Sequence, residues 1–457
     1  MFLKRFPLLI VVVLTGCSHS AIAPDTRNPE IPASWVRGDN QQPVELNWLE
    51  GFEHPVLPGL VNEAIANNYS LAQERARLWQ AEQAVVITRA DRFPTLDVSI
   101  DGSRRASESG SGVSTTTQSF SVAVDGRWQA DLWGRLNKEQ QVAQLSLEAQ
   151  RARLRSAEHT LAATTAGAYF GVMQAKQLLK VAERRLDIAV ESHDIVGSGY
   201  RQGLNSALDL YLARNQVERE EAAYAQQEQT YAESVADLQL TLARYPDGRM
   251  AIEGELPVLE SALPAGLPSE LLTRRPDVQE AWLNLLAADA DLASSHKARF
   301  PSLSLVGSSG ISSLEFSDLL DADNSFWSLA GGITQPLFNA GRLRAFEEQA
   351  AARVELVEQQ YLQLVYRAFA DVENAISRAA SLRKRYESFL DAETNSRAAL
   401  ELALEQYQRG LVSYTTVLES QRQAFDAEAT VVQLRNQLLQ NRISLFLSLG
   451  GDFSIDY

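Results

Sequence analysis

Tyr200-Arg201-Gln202-Gly203-Leu204-Asn205-Ser206 and Tyr407-Gln408-Arg409-Gly410-Leu411-Val412-Ser413 are two versions of one corner, 207 residues apart. The same offset relates Arg92-Phe93-Pro94 to Arg299-Phe300-Pro301, and Gly134-Arg135-Leu136 to Gly341-Arg342-Leu343. It holds across about 150 residues without a net insertion. A period of this length is too long for a solenoid repeat, so it indicates one large supersecondary unit that is built twice.

Each copy contains long helical patterns. They cover residues 59–91, 135–199 and 206–244 in the first copy, and residues 269–298, 342–407 and 413–449 in the second. The central helix, with about 65 residues, would be about 100 Å long, and the two shorter helices placed end to end would nearly match it. Coiled-coil spacing is present at Val354, Val357, Tyr361, Leu364 and Ala368. The sequence therefore predicts a mainly α chain of long helices packed along coiled-coil seams.

Two short segments in each copy alternate between apolar and polar residues, as β-strands with one buried face do. Their apolar positions are Leu96, Val98 and Ile100; Phe120, Val122 and Val124; Leu303 and Leu305; and Trp327, Leu329 and Ile333. Polar stretches at 102–118 and 307–325 are predicted to be loops. Alternation of this kind is typical of transmembrane barrel strands and also of soluble sheets. Four strands cannot close a barrel, and open edges are not viable in lipid, so membrane-spanning strands would require an oligomer.

The N-terminus has the features of a bacterial lipoprotein signal. Lys4-Arg5 precede an apolar run, and Leu14-Thr15-Gly16-Cys17 matches a lipobox around the only cysteine of the chain. The alternative is an ordinary signal peptide with a chance cysteine at its border. We expect cleavage before Cys17, and Cys17 would then carry S-diacylglycerol and N-palmitoyl groups. No other cofactor is expected for the chain. Ser18 directs such a lipoprotein to the outer membrane. Cleavage changes the net charge from −16 to −18, which argues against nucleic acid as a partner.

The predicted organisation has six parts. These are a signal peptide (1–16), a lipid anchor and extended strap (17–58), the first repeat (59–244), a linker or equatorial region (245–268), the second repeat (269–449) and a tail (450–457). We expect Trp35 and Trp48 to anchor the strap on the helices rather than to form a ligand cage.

Four further blocks resemble the TolC-like outer membrane factors, in particular the OprM-like (NodT-type) efflux lipoprotein branch. They are Asp131-Leu132-Trp133-Gly134-Arg135, Arg275-Pro276-Asp277-Val278, Phe300-Pro301-Ser302-Leu303 and Gln335-Pro336-Leu337-Phe338. The resemblance implies a homotrimer in which four strands per chain build a twelve-stranded outer membrane barrel above a periplasmic helical tunnel. It also implies an exit duct for drugs and amphiphiles, with a periplasmic adaptor (membrane fusion) protein and an inner-membrane resistance-nodulation-division transporter as partners.

By the same resemblance, the two corners form the periplasmic tip, with Gly203, Leu204, Gly410 and Leu411 in contact with the adaptor. The family closes its tunnel at this tip. The matching gate residues are Tyr407, Asp209 and Glu419, the last within Leu418-Glu419-Ser420-Gln421-Arg422. Thr416 stands where TolC-type members have another aspartate, and Val412 stands where they have the arginine of the gate network, so the inter-helix ion pair of that network is expected to be missing. Three copies of Glu419 around an axis would favour cations and raise the pKa of the carboxyl groups.

Enzymatic chemistry is not expected. The five histidines are scattered without metal-ligand spacing, and the chain has no second cysteine, phosphate loop or nucleophile elbow. Two alternatives to the efflux duct stay open at this point. One is the exit channel of a type I protein secretion system; the other is a non-channel coiled-coil lipoprotein that serves as a periplasmic scaffold.

Overall fold

The structure is a computed structural model that describes residues 29, 31–36, 48–52, 54–108, 114–258 and 268–451. The signal peptide, Cys17 and the tail residues 452–457 lie outside the described residues. The described helices and strands, in chain order, are α1 (Leu57–Asn67), α2 (Tyr69–Ala90), β1 (Thr95–Glu108), β2 (Ser114–Ala130), α3 (Arg135–Arg201), α4 (Ala207–Thr241), α5 (Pro268–Arg274), α6 (Pro276–Lys297), β3 (Ser302–Ser313), β4 (Ser325–Thr334), α7 (Arg342–Gln408) and α8 (Tyr414–Ser448).

The duplication is confirmed helix by helix, because α7 and α8 have the bounds of α3 and α4 shifted by 207 residues. The chain forms two compact units. The sheet unit contains the described residues of 79–150 and 281–362, and the helical unit contains those of 30–78, 151–280 and 363–451.

The first predicted helix of each copy is in fact two helices. Asn68 leaves the helical conformation, and its Oδ1 accepts hydrogen bonds from the backbone N–H groups of Ser70 (2.9 Å) and Leu71 (3.2 Å), which makes it the N-cap of α2. At the equivalent position, Arg275 precedes Pro276, and a proline disfavours helical geometry in the residue before it while suiting the first position of α6.

The four strands form one antiparallel sheet in the order β1-β2-β3-β4. They are longer than the sequence pattern indicates, because residues 102–108, 114–118 and 307–313 were predicted to be loop and belong to β1, β2 and β3. Gly102 pairs with Phe120 and Glu108 with Ser114. Backbone hydrogen bonds continue this hairpin through a stretch that is polar on both faces, and such a stretch has no alternation for a sequence reading to detect.

The register of the sheet separates an apolar face from a polar face, since directly opposed residues share a face. The apolar face contains Leu96, Val98 and Ile100; Phe120, Val122, Val124 and Trp128; Leu303, Leu305 and Ile311; and Trp327, Leu329 and Ile333. Ser, Asp, Arg and Gln side chains dominate the other face. The predicted strand alternation is therefore confirmed as one continuous two-faced sheet.

Both copies enter the sheet through the same hydrogen bond. Trp128 Nε1 donates to the carbonyl of Arg92 (3.0 Å), and at the equivalent positions Gln335 Nε2 donates to the carbonyl of Arg299 (3.1 Å). Different donor side chains thus close the same turn, because the acceptor in both copies is a backbone carbonyl.

Aromatic side chains fix the strap on the helical unit. Trp35 is buried edge-on against Phe369 (ring centroids 6.2 Å apart), and Trp48 is buried and stacked on Phe446 (5.9 Å). Phe52 continues this cluster to Phe170 at 5.3 Å. The prediction that the two tryptophans anchor the strap is confirmed.

In each copy a side-chain hydrogen bond, here called the joint, links the break in the first helix to the end of the last helix. Asn68 Nδ2 donates to the carbonyl of Thr241 (3.0 Å), and Arg275 Nη1 donates to the carbonyl of Ser448 (3.3 Å). These carbonyls belong to the last turns of α4 and α8, whose C-terminal oxygens have no partner within the helix.

Candidate functional site

The two corners at the ends of α3 and α7 have the same backbone geometry. Gly203 (φ 74°) and Gly410 (φ 72°) adopt the left-handed conformation that glycine tolerates best. In the first corner, the N–H of Leu204 donates to the carbonyl of Gly199 (2.8 Å) and the N–H of Gly203 to that of Tyr200 (3.0 Å). The second corner repeats both bonds at 2.9 Å, and the pattern is a Schellman helix end. Leu204 and Leu411 are exposed beside these glycines.

Asp209 is part of the N-terminal cap of α4. Ser206 Oγ accepts a hydrogen bond from the N–H of Asp209 (3.1 Å), and Asp209 Oδ2 accepts from the N–H of Ser206 (3.2 Å), which is a reciprocal capping box. Ser413, at the equivalent position before α8, has no side-chain cap. Its hydroxyl lies within 2.6 Å of that of Thr415 and 3.2 Å of that of Thr416. The sequence reading missed the Ser-x-x-Asp signature that predicts this cap.

Replacing Ser206 with alanine is expected to destabilise the first corner by about 1 kcal/mol, because one N–H of the first turn of α4 loses its acceptor. The matched control is Ser413→Ala, which removes no such bond and should cost clearly less. Hydrogen exchange of the amides of residues 207–210 and 414–417 measures the two corners separately. Equal acceleration in both corners would contradict the assigned cap.

The two helical hairpins, α3–α4 and α7–α8, meet in an apolar cluster next to the corners. Its buried members are Val196, Ala213, Ala403, Tyr414 and Val417. The rings of Tyr407 and Tyr414 lie 5.6 Å apart, and burial raises the pKa of Tyr414 to about 12. Burial, together with the nearby charge of Asp209, also raises the pKa of Tyr407. The charge of Asp209 on the first corner therefore reaches Tyr407 at the end of α7. Tyr414 was not among the predicted gate residues.

Glu419 is exposed on α8 and binds residues of its own helix. Arg422 donates from Nη2 at 2.6 Å and from Nε at 3.1 Å, and Gln423 donates at 2.8 Å. These hydrogen bonds lower the pKa of Glu419. Within one chain the shift is thus opposite to the raised pKa expected for a ring of like charges, because Arg422 neutralises the carboxylate locally.

An acidic groove lies beside the tip. It has a volume of about 1080 Å³ between the C-terminal ends of α3 and α7. Asp187, Glu191 and Asp194 line it together with Arg409 and the two corner segments. In the described part of the chain Asp209 forms no ion pair, while Thr416 is exposed and Val412 is half-buried.

The described residues also bear on metal binding and on membrane-spanning helices. No group of three or more His, Cys, Asp or Glu side chains there could hold a metal ion. No helix in the described ranges has both the length and the apolar character to cross a membrane.

Comparisons with known proteins agree with this architecture. The family model for outer membrane efflux proteins matches twice, at residues 60–244 and 267–451. The chain is 30% identical to the cation efflux system protein CusC of Escherichia coli O6:H1, over 98% of both chains. It is 30% identical to the probable efflux pump outer membrane protein TtgC of Pseudomonas putida, over 96% of this chain and 93% of that one. The solved outer-membrane channel OprN superposes with a TM-score of 0.86 at 25% identity, over 94% of this chain and 99% of that one.

The fold, the double match and these identities define the class: the chain belongs to the outer membrane efflux protein family. Its relatives are channels of efflux pumps.

Proposed function

We propose that this chain is the outer membrane exit duct of a tripartite multidrug efflux system of the resistance-nodulation-division type. It would provide passive passage for drugs and amphiphiles delivered by the pump. The exposed apolar face of the sheet is the observation that carries the proposal. On that face Leu96, Val98, Ile100, Trp327, Leu329 and Ile333 are 72–79% exposed. Soluble monomers rarely expose a contiguous apolar patch of more than a few hundred Å², so lipid is the natural solvent of this face.

Assembly into a homotrimer follows from the same sheet. β1 and β4 are its edges, and an unpaired strand edge is too costly in lipid. A closed barrel removes both edges, and three copies supply twelve strands. A scaffold lipoprotein without a pore gives no reason for a two-faced sheet of this kind, so we set that alternative aside.

The upstream partners are proposed to be a periplasmic adaptor and an inner-membrane resistance-nodulation-division transporter. The exposed leucines Leu204 and Leu411 and the adjacent groove supply the contact surface for the adaptor. The names of the relatives favour efflux over type I protein secretion, since they describe cation, toluene and antibiotic efflux. Such different cargoes on one fold also support selection of the compound upstream of the duct.

The proposal is tested by complementation and electrophysiology. Expressed with a cognate adaptor and pump in a strain that lacks its own efflux channels, the chain should restore resistance to dyes and detergents. The purified protein should form ion-conducting pores in planar bilayers. A monomeric protein without pore activity would contradict the proposal. Restoration of peptide export by an ABC transporter, without drug resistance, would favour the secretion alternative.

We propose that Asp209, Glu419, Thr416 and Tyr407 form the periplasmic gate. Replacing Asp209 or Glu419 with alanine should raise leak conductance or lower cation preference, because each removes one negative charge per copy from the constriction. Asp209→Asn removes the charge and keeps a cap acceptor, so it separates gating from the loss of the capping box. Thr416→Ala alters the uncharged member of the gate and should leave cation preference unchanged. Unchanged conductance and selectivity in all charge variants would remove both acids from the gate.

We also propose that Cys17 carries the lipid anchor in the outer membrane. The lipobox and the absence of any second cysteine in the sequence support this assignment. Metabolic labelling with a palmitate analogue should mark the wild-type protein and fail to mark Cys17→Ser. Labelling that persists in the variant would show the assignment to be wrong.

A further inference from the structure

The apolar face of the sheet has the height of the apolar band of a transmembrane barrel. On β2 this face extends from Ala130, at the end that connects to α3, to Phe120. These positions are ten residues apart, which corresponds to about 33 Å along the strand and, at a tilt of about 40°, to a height of about 25 Å. Phe120 therefore marks the edge of the band on the side of the hairpin connections.

Arg104 lies on the same face, one row beyond this edge. It opposes Gln118 on β2, just as Gly102 opposes Phe120 in the row before. Since side chains alternate between the two faces of a strand, Arg104 shares the face of Ile100 and lies about 7 Å along β1 from the last apolar row. Its side chain is exposed, and among the described residues it forms no hydrogen bond or ion pair.

Aromatic side chains extend the apolar surface beyond the strands. The ring of Phe120 lies over Gly102, because an added Cβ there would be 3.4 Å from Phe120 Cδ1. Phe316, in the connection between β3 and β4, packs edge-on against Phe120 with ring centroids 5.5 Å apart. Leu314, Phe316 and Leu320 of this connection are 67–86% exposed. The connection thus folds onto the apolar face of the sheet and places a surface suited to acyl chains beside an unpaired guanidinium.

An arginine on a lipid-facing surface is tolerated where an anion can reach it. The cost of such an arginine falls from the bilayer midplane to the interface, where the side chain extends toward the headgroups. A guanidinium binds phosphate through two parallel N–H···O bonds, and its weak hydration suits it to this contact. The outer leaflet of a bacterial outer membrane supplies such phosphates on a glycolipid, lipid A.

We propose that Arg104 and the aromatic pair Phe120–Phe316 form a binding site for this phosphorylated glycolipid. The guanidinium of Arg104 binds a phosphate group, and the acyl chains lie against the two rings. The site rests on the proposed function, because that function places the sheet in the outer membrane with its hairpin connections on the outer side. A homotrimer carries three such sites.

Four carboxylates in the same connection set a condition for binding. They belong to Glu315, Asp318, Asp321 and Asp323. Carboxylates repel a phosphate, whereas Mg²⁺ and Ca²⁺ bind both carboxylate and phosphate oxygens. Binding of the glycolipid is therefore expected in the presence of a divalent cation, and Mg²⁺ belongs in the test.

Native mass spectrometry of the purified, detergent-solubilised protein in Mg²⁺ tests the site. The probe is lipid A that carries both phosphates, and wild-type trimers should retain up to three molecules. Arg104→Gln should bind this probe about tenfold more weakly, because hydrogen bonds to an ionised group are lost. Arg104→Lys keeps the charge without the two parallel bonds, so its affinity should lie between the two.

The neighbouring residue supplies the matched control. Arg105 opposes Thr117 and lies on the polar face of the same strand, so Arg105→Gln should bind lipid A as the wild type does. Lipid A without phosphates should bind equally to the wild type and to Arg104→Gln. Inorganic phosphate at the concentration of the lipid should displace none of it.

Three results would overturn the site. They are unchanged binding of lipid A by Arg104→Gln, an equal loss in Arg105→Gln, and displacement by inorganic phosphate, which would indicate a site for a free anion. Conductance in planar bilayers is measured on the same wild-type protein. A protein that conducts ions but fails the binding tests loses the site and keeps the duct, whereas a protein without pore activity would refute the proposed function itself.

Discussion

Replacing Gly450 with alanine is expected to lower the free energy of unfolding by about 2–4 kcal/mol. Gly450 ends α8 in the left-handed conformation (φ 66°), which costs an L-residue about 1–2 kcal/mol. An added Cβ would also lie 2.8 Å from the backbone of Arg274 and Arg275. Backbone atoms cannot rotate away as the end of a side chain can, so the joint itself must shift. Guanidinium unfolding of the detergent-solubilised protein at fixed concentration, followed by circular dichroism, measures the loss.

The repeat supplies the reciprocal control at the end of α4. Ala243 occupies the equivalent position with φ 57°, and it closes the helix with the same hydrogen bonds, from the N–H of Ala243 to Leu240 (3.0 Å) and from the N–H of Arg244 to Gln239 (2.8 Å). Ala243→Gly removes the left-handed strain but adds chain entropy, so a gain of up to about 1 kcal/mol is expected. If Gly450→Ala proved as mild as a surface substitution, the close approach of α8 to Arg274 and Arg275 would be refuted.

Replacing Arg275 with alanine is expected to cost about 2–3 kcal/mol. The guanidinium is buried and binds Asp277 through Nη2 (2.7 Å) and Nε (3.0 Å), Asp371 at 3.3 Å and the carbonyl of Ser448 at 3.3 Å. Its removal leaves two carboxylates unpaired and a helix-end carbonyl without its donor. The two carboxylates are 30% and 42% exposed, so water compensates them in part and the loss stays below that of a fully buried pair.

Asn68→Ala is the matched control for the same joint in the first copy. It removes a neutral donor to Thr241 and the N-cap of α2, and no charge is left behind, so about 1 kcal/mol is expected. Denaturation under the conditions used for Gly450→Ala compares the two. A larger loss for Asn68→Ala than for Arg275→Ala would show that capping, rather than the ion cluster, holds the joint.

Much of this architecture is local and could be predicted from the sequence. The bounds of α3, α4, α7 and α8 follow from helical periodicity between glycine and proline breakers, and the strands follow from strict alternation around Leu96–Ile100 and Trp327–Ile333. The corners at Gly203 and Gly410 were also predictable, because a left-handed residue at a helix end calls for glycine. These features depend on neighbours within one or two turns, which a sequence displays directly.

The predictions failed where structure depends on distant partners. Residues 102–108, 114–118 and 307–313 are rich in Ser, Gly and Thr and were predicted to be loop, yet backbone pairing of β1 with β2 and of β2 with β3 makes them sheet. The raised pKa predicted for a ring of three Glu419 side chains stays a prediction, since within one chain Arg422 and Gln423 lower the pKa of this carboxyl group. A pattern of charges along a helix does not say which of them pair, since several rotamers compete and only packing selects one.

The sequence by itself determined the duplication, the helices, the two-faced strands and the chemical nature of the tip. Tertiary structure decided how two copies with nearly the same helices differ. More residues are buried on α8, which packs against α3, than on α4. Arg275 lies in an ion cluster, whereas Asn68 at the equivalent position makes a neutral cap. The physical reason is that a repeat encodes the same local preferences twice, whereas burial depends on which distant part of the chain packs against each copy.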